Sequence, residues 1–228
     1  MDMIANNMAN ANTPAYKSQE MMFREFLVPT RSSNSVLGSK LSFTQDVGQV
    51  RDTREGTLAE TGNPLDVAIH GDGYFEVESE AGMRFTRNGH FRLDEGGMMV
   101  DSEGLAVMDN RDQPIIFAPN ETKITIAADG TVSSQNGRIT QLKVVRFPNE
   151  QNLQAAGNGL FETSQEPEVV QRPQLAQGMM EQSNVQPVTE MTHMMSVLRQ
   201  YESMQQMLQT ESDRQTKALQ VLSNVQAA

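Results

Sequence analysis

The chain has 228 residues, 21% of them charged, a formal net charge of −11, 16 methionines and no cysteine. That length suffices for one sizeable core or two small ones. The missing cysteines exclude disulfides, thiol nucleophiles and thiolate metal sites, and the acidic balance argues against a nucleic-acid partner, because no cationic surplus exists to displace counterions.

Met3, Ile4, Met8 and Ala9 fall on one face of a short helix, opposite Asn6, Asn7 and Asn10. Asn12-Thr13-Pro14 ends it, since proline drives the residue before it out of the α region. Two turns are marginal alone in water, so residues 1–17 read as the remnant of a longer helix whose upstream part is missing, or as a helix that forms only against a partner. The asparagines also break any apolar signal core, so export would not use a cleaved signal. No apolar run approaches the roughly 20 residues that span a bilayer, and no membrane insertion is expected.

Residues 18–64 show no sustained period. Met21, Met22, Phe23, Phe26 and Leu27 cluster, and Arg31 to Ser35 with Gly38-Ser39 is polar. This stretch reads as an extended linker with one hairpin, ordered against something else. From Leu65 the pattern changes to period two, with strands predicted at Tyr74 to Val77, Met83 to Phe85, Phe91 to Leu93, Met98 to Val100 and Leu105 to Val107. Asn88-Gly89, Glu95-Gly96-Gly97 and Ser102-Glu103-Gly104 supply the positive φ of tight hairpins. Further strands are expected at Ile115 to Phe117, Ile124 to Ile126, Thr131 to Ser133 and Gln141 to Phe147. Residues 65–165 therefore form a central β domain, and 166–187, with Pro167, Pro173, Gly178 and Pro187, a second linker.

The last segment, 188–228, is helical. Val188, Met191, Met194, Leu198, Tyr201, Leu208, Leu219 and Leu222 recur at helical spacing, while Gln205, Ser212 and Gln215 interrupt the seam. A self-sufficient coiled coil does not follow. The fold class is α+β: helical N- and C-terminal segments flanking a central all-β antiparallel domain of many short strands.

Little here carries chemistry. His70, His90 and His193 lack metal-ligand spacing, and Asp72, Asp94, Asp101 and Asp129 beside glycines read as turn residues rather than calcium ligands. No cofactor motif and no catalytic or metal residue is assigned; a glycosidase would need two converging carboxylates, which sequence does not place. Methionines packing adaptably against imperfect partners fit the Met-rich final helix better than soft-metal binding.

Three blocks carry a resemblance. Ala5-Asn6-Asn7-Met8-Ala9-Asn10-Ala11-Asn12-Thr13-Pro14-Ala15-Tyr16-Lys17 looks like the N-terminal motif of flagellar basal-body rod and hook proteins. Gly62 to Ile69, Gly71 to Phe75 and Phe85-Thr86-Arg87-Asn88-Gly89 resemble the central region of the rod members, and Ser183-Asn184-Val185 through Glu202 resembles their C-terminal helix. Chain length favours a proximal-rod member, with a distal-rod member as runner-up. Ala15 stands where the family usually has glycine, and the helix that normally leads into Asp2 is absent.

The resemblance implies a rod subunit exported by the flagellar type III apparatus, built into a helical drive shaft across the periplasm and carrying torque from motor to hook. It also implies that the terminal helices pair as the inner tube with the β domain outside. Expected partners are further copies, other rod proteins, the export apparatus and the surrounding ring proteins. Candidate subunit-interface residues are Ile4, Asn6, Asn7, Met8, Asn10, Thr13, Pro14 and Tyr16 at the front, and the eight apolar seam residues from Val188 to Leu222 at the back. The competing class is a β-rich extracellular binding module with a helical stalk.

Overall fold

A computed structural model describes residues 1–29, 40–119, 121 and 123–226, without the side chains of 23–47 and 221–226. The predicted polar stretch Arg31 to Ser35 with Gly38-Ser39, and the side chain of Leu222, lie outside the described residues. Two compact units form, one from Met1–Ala9 with Gln186–Ala228 and one from Asn10–Val185.

The first unit is a helix pair. Helix α1 spans Asp2–Ala9 and α2 spans Pro187–Gln226. Pro187 suits the first helical position because its missing N–H would be unpaired there anyway. Gln186 precedes it, its carbonyl accepting from the Glu190 N–H at 3.0 Å and its side-chain oxygen from the Thr189 hydroxyl at 3.2 Å. At 40 residues α2 extends about 60 Å.

The second unit is antiparallel β. Its largest sheet runs Gln154–Gly157, Leu160–Glu162, Gly82–Thr86, Tyr74–Ser79, Ala106–Val107, Met99–Val100, Arg92–Leu93. Val144–Arg146 joins Tyr74–Ser79 and Glu168–Val169. The period of two sends Phe75 and Val77 into a main core with Phe91, Val107 and Val132, and Tyr74 into a second cluster with Phe85, Phe147 and Phe161. Aromatic edges meet faces there, Phe85 and Phe147 at 4.8 Å between ring centroids.

Three hairpin turns repeat one device. Asp94, Asp101 and Asp109 each accept, on one carboxylate oxygen, the N–H groups two and four residues on, at 2.7–2.9 Å. Gly97, Gly104 and Asp112, three residues on, take the left-handed conformation. The carboxylates of Asp94 and Asp101 are thus spent on their own turns, which is the turn role their glycine neighbours suggest.

Elsewhere the chain is more ordered than its periodicity suggests. Within 18–64, Gln19–Pro29 pairs antiparallel with Lys40–Arg51, as the expected hairpin would, and Leu58–Glu60 forms a further strand. Within 166–187, Glu168–Val169, Gln174–Gln177 and Met179–Glu181 are strands, the last two pairing with Val67–His70 and Leu58–Glu60. Their partners lie more than a hundred residues away, so no local turn signal marks them. Ile115 to Phe117 forms no strand: isolated bridges at Pro114 and Ile116 hold it, with Ile115 and Phe117 buried and Ile116 exposed.

Candidate assembly interface

Helix α1 packs on the first turns of α2. Met3, Ile4 and Met8 are half-buried, and Asn7 is buried with its amide donating to Glu190 Oε1 at 3.4 Å. On α2 the less exposed positions are Glu190, Met194 and Val197, spaced by four and three. The same spacing continues through Tyr201, Met204 and Leu208, which are 61%, 70% and 71% exposed. Eight residues of α1 reach about 12 Å, two turns' worth, so they cover only the start of this face.

Val188, Met191, Leu198 and Leu219 are exposed as well. Thr192, Thr210 and Thr216 turn their hydroxyls onto the carbonyls four residues back, at 2.8–2.9 Å, which satisfies them inside the helix. These exposed apolar residues form a contiguous row rather than a scatter of single residues, the kind of surface that soluble proteins seldom leave bare. Among the front candidates, Asn6 is exposed on α1 while Asn10, Thr13, Pro14 and Tyr16 belong to the β unit. There Thr13 donates its hydroxyl to Asn10 Oδ1 at 3.1 Å.

The segment after α1 is bound to the segment before α2. Ala15 N–H donates to the Glu181 carbonyl at 2.9 Å, Asn184 N–H to the Tyr16 carbonyl at 3.2 Å, and Ser18 N–H to Asn184 Oδ1 at 2.7 Å. The Asn184 amide reaches back to the carbonyls of Asp52 and Arg54 at 2.9 and 3.0 Å. Ala15 makes its turn at φ 58°, in the left-handed region.

Below this strap lies a buried charge cluster. Glu181, its side chain 1% exposed, accepts from Lys17 Nζ at 2.5 Å and Gly56 N–H at 2.8 Å on one oxygen, and from Arg87 Nε at 2.7 Å on the other. Two cations share one carboxylate, and main-chain carbonyls take the surplus: Lys17 also donates to Arg54, and Arg87 to Gly71 and Gly73. Burial, then the neighbouring Arg87, pulls the Lys17 ammonium below its ordinary range, against the opposing pull of Glu181. Gly56 admits the close approach, since a Cβ there would stand 2.0 Å from the Gln182 carbonyl oxygen.

The histidines stay apart, His70 beside Glu55 at 2.9 Å, His90 beside Asp66 at 2.7 Å, and His193 exposed on α2. Sequence periodicity missed the roles of Lys17, Arg87, Glu181 and Asn184, because a buried charge reads as a surface charge until its partners are known. A signal existed: Lys17, Arg87 and Asn184 stand in the three separate blocks that carried the resemblance.

Two family models match the chain: the flagellar hook protein FlgE/F/G D1 domain over residues 68–134 and the flagellar basal body rod FlgEFG protein C-terminal domain over 176–221. Flagellar basal-body rod protein FlgF of Caulobacter vibrioides is 33% identical over 228 residues, covering 99% of this chain and 92% of that one. The FlgF protein of Mesorhizobium japonicum is 30% identical, covering 98% and 92%. FlgG of Buchnera aphidicola subsp. Acyrthosiphon pisum is 31% identical, covering 89% and 86%.

Proposed function

We propose a function from one premise: the chain belongs to the flagellar basal-body rod protein family. It is a structural subunit of the bacterial flagellar basal-body rod, assembling with other rod and basal-body proteins. In our reading it is a proximal-rod subunit of the FlgF type, supported by the two FlgF relatives that match almost the whole chain. It travels through the flagellar export apparatus and meets the surrounding ring proteins in place.

Polymerisation runs through the terminal helices. The observation that carries this is the apolar row on α2 that starts beside Glu190, half-buried at Met194 and Val197 and bare at Tyr201, Met204 and Leu208. Helices of neighbouring subunits cover it, joined by Ile4, Met8, Met191, Leu198, Leu219 and Leu222, with Asn6, Asn10, Thr13, Pro14 and Tyr16 around them. Apolar contact is non-directional, so a long seam carries torque in shear without requiring each contact to be identical. A stalked binding module would leave that row in water, which the hydrophobic effect opposes.

Leu198→Asp tests the reading. An unpaired charge in a dry seam blocks association while the β unit keeps its fold. The expected result is a soluble variant with the wild-type β-sheet circular dichroism signal that is absent from isolated basal bodies. A folded variant recovered in rods at wild-type level would refute polymerisation through this face.

A further inference from the structure

The charge cluster is unusual for a stability element. One carboxylate with side-chain exposure of 1% serves two cations exposed by 2% and 3%, from chain segments 94 and 164 residues away. Arg87 is tied to the β unit by two further carbonyls, so without Lys17 it and Glu181 would form a one-to-one pair. Lys17 is the surplus charge. Its burial is costly, and a well-packed apolar residue in such a place is often neutral or better for stability. What Lys17 adds is position: it fixes the chain two residues beyond Ala15, just before Gln19–Pro29, to Glu181 and to Arg54, beside the strap bonds of Ala15, Tyr16 and Ser18 to residues 181–184.

We propose that Lys17, through the Glu181 carboxylate it shares with Arg87, is the positioning residue that holds the two chain ends side by side where they leave the β unit. The ends then emerge adjacent, as the pairing of α1 with α2 requires. A subunit whose β unit is folded but whose strap is open presents α2 without its partner turn and is not accepted into the rod. This rests on assembly through the terminal helices.

The test is Lys17→Met in the full chain, which leaves Glu181 and Arg87 as a balanced pair. Hydrogen exchange on the soluble subunit is expected to show the Ala15 and Ser18 amides losing at least about tenfold in protection while the central strands change by less than about threefold. Recovery of the variant in basal bodies from cells lacking their own copy, taken relative to its soluble level in the same cells, is expected to fall at least about tenfold against wild type; loss of stability alone lowers the soluble level first, and this ratio corrects for it. Unchanged strap protection, an equal loss across the whole sheet, or normal incorporation with an open strap would each overturn the proposal. Where Lys17→Met does not fold, the triple variant Lys17→Met, Arg87→Met, Glu181→Met removes all three charges together and is read the same way; failure of both to fold would make the cluster a stability element and overturn the proposal. Wild-type protein missing from basal bodies would instead refute assembly itself, and the exchange result would stand apart from it.

Discussion

At the residue scale the clearest tension is at Ala15. A Cβ in the left-handed region costs about 1–2 kcal/mol, whereas losing a buried methyl costs about 0.8 kcal/mol, and Ala15 is buried. Ala15→Gly should therefore be neutral to stabilising by up to about 1 kcal/mol, read as the urea midpoint; a loss beyond about 1 kcal/mol would show that the turn needs the methyl. The resemblance marks this position as one that usually carries glycine, but the φ that explains it was not legible in the sequence. Asp109 sets a second expectation. Burial pushes its carboxyl up, but the Thr140 hydroxyl at 2.6 Å, the N–H groups of Gln113 and Arg111 and the Arg111 guanidinium outweigh that and hold it below the ordinary carboxylate range. A folded value depressed below the unfolded one, about 3.9, contributes stability that is present above that pH and lost as pH falls through the folded value. Asp109→Asn should cost about 1–3 kcal/mol at pH 7 and flatten the acid limb of the stability profile; parallel wild-type and variant profiles below pH 4 would contradict the assignment.

At the element scale, the hairpins between Tyr74 and Val107 and the whole of α2 could be read from the sequence because their signals are local. Turn glycines stand within a few residues of the strands they join, and the spacing of apolar residues on α2 is periodic over many turns. The strands Gln174–Gln177 and Met179–Glu181 could not, because Leu175 and Met180 pair with Ile69 and Ala59, and the prolines at 167 and 173 look like linker punctuation. Met179–Glu181 is a strand through its pairing with Leu58–Glu60, and beside it Gln182 passes Gly56 so closely that any side chain there would collide with the main chain. Gly56→Ala should destabilise the β unit by about 2 kcal/mol or more, as overpacking does where backbone must move; a thermal midpoint within a degree of wild type would mean the two segments part easily. On α2, the half-buried and bare halves of one seam differ only in whether α1 reaches them, a distinction that periodicity alone does not draw.

For the whole molecule, the sequence contains a β unit with its own cores and a helix with little of its surface covered. Among the described residues the β unit places most of its large side chains in two cores and uses Asp94, Asp101 and Asp109 to close its own turns. Helix α2 carries Tyr201, Met204 and Leu208 into solvent, and in the proposed reading neighbouring subunits cover them. Limited proteolysis of the soluble subunit should therefore cut beyond Tyr201 well before the strands of 65–165, and equal resistance would mean the helix is protected in the monomer. The absence of cysteine allows the central claim, that neighbouring subunits cover this row, to be tested at one atom. Leu208→Cys should react readily with a maleimide in the soluble subunit and at least about tenfold more slowly in intact basal bodies, as burial in a packed seam requires; equal labelling in both would show that the row stays bare in the rod and would contradict assembly through α2.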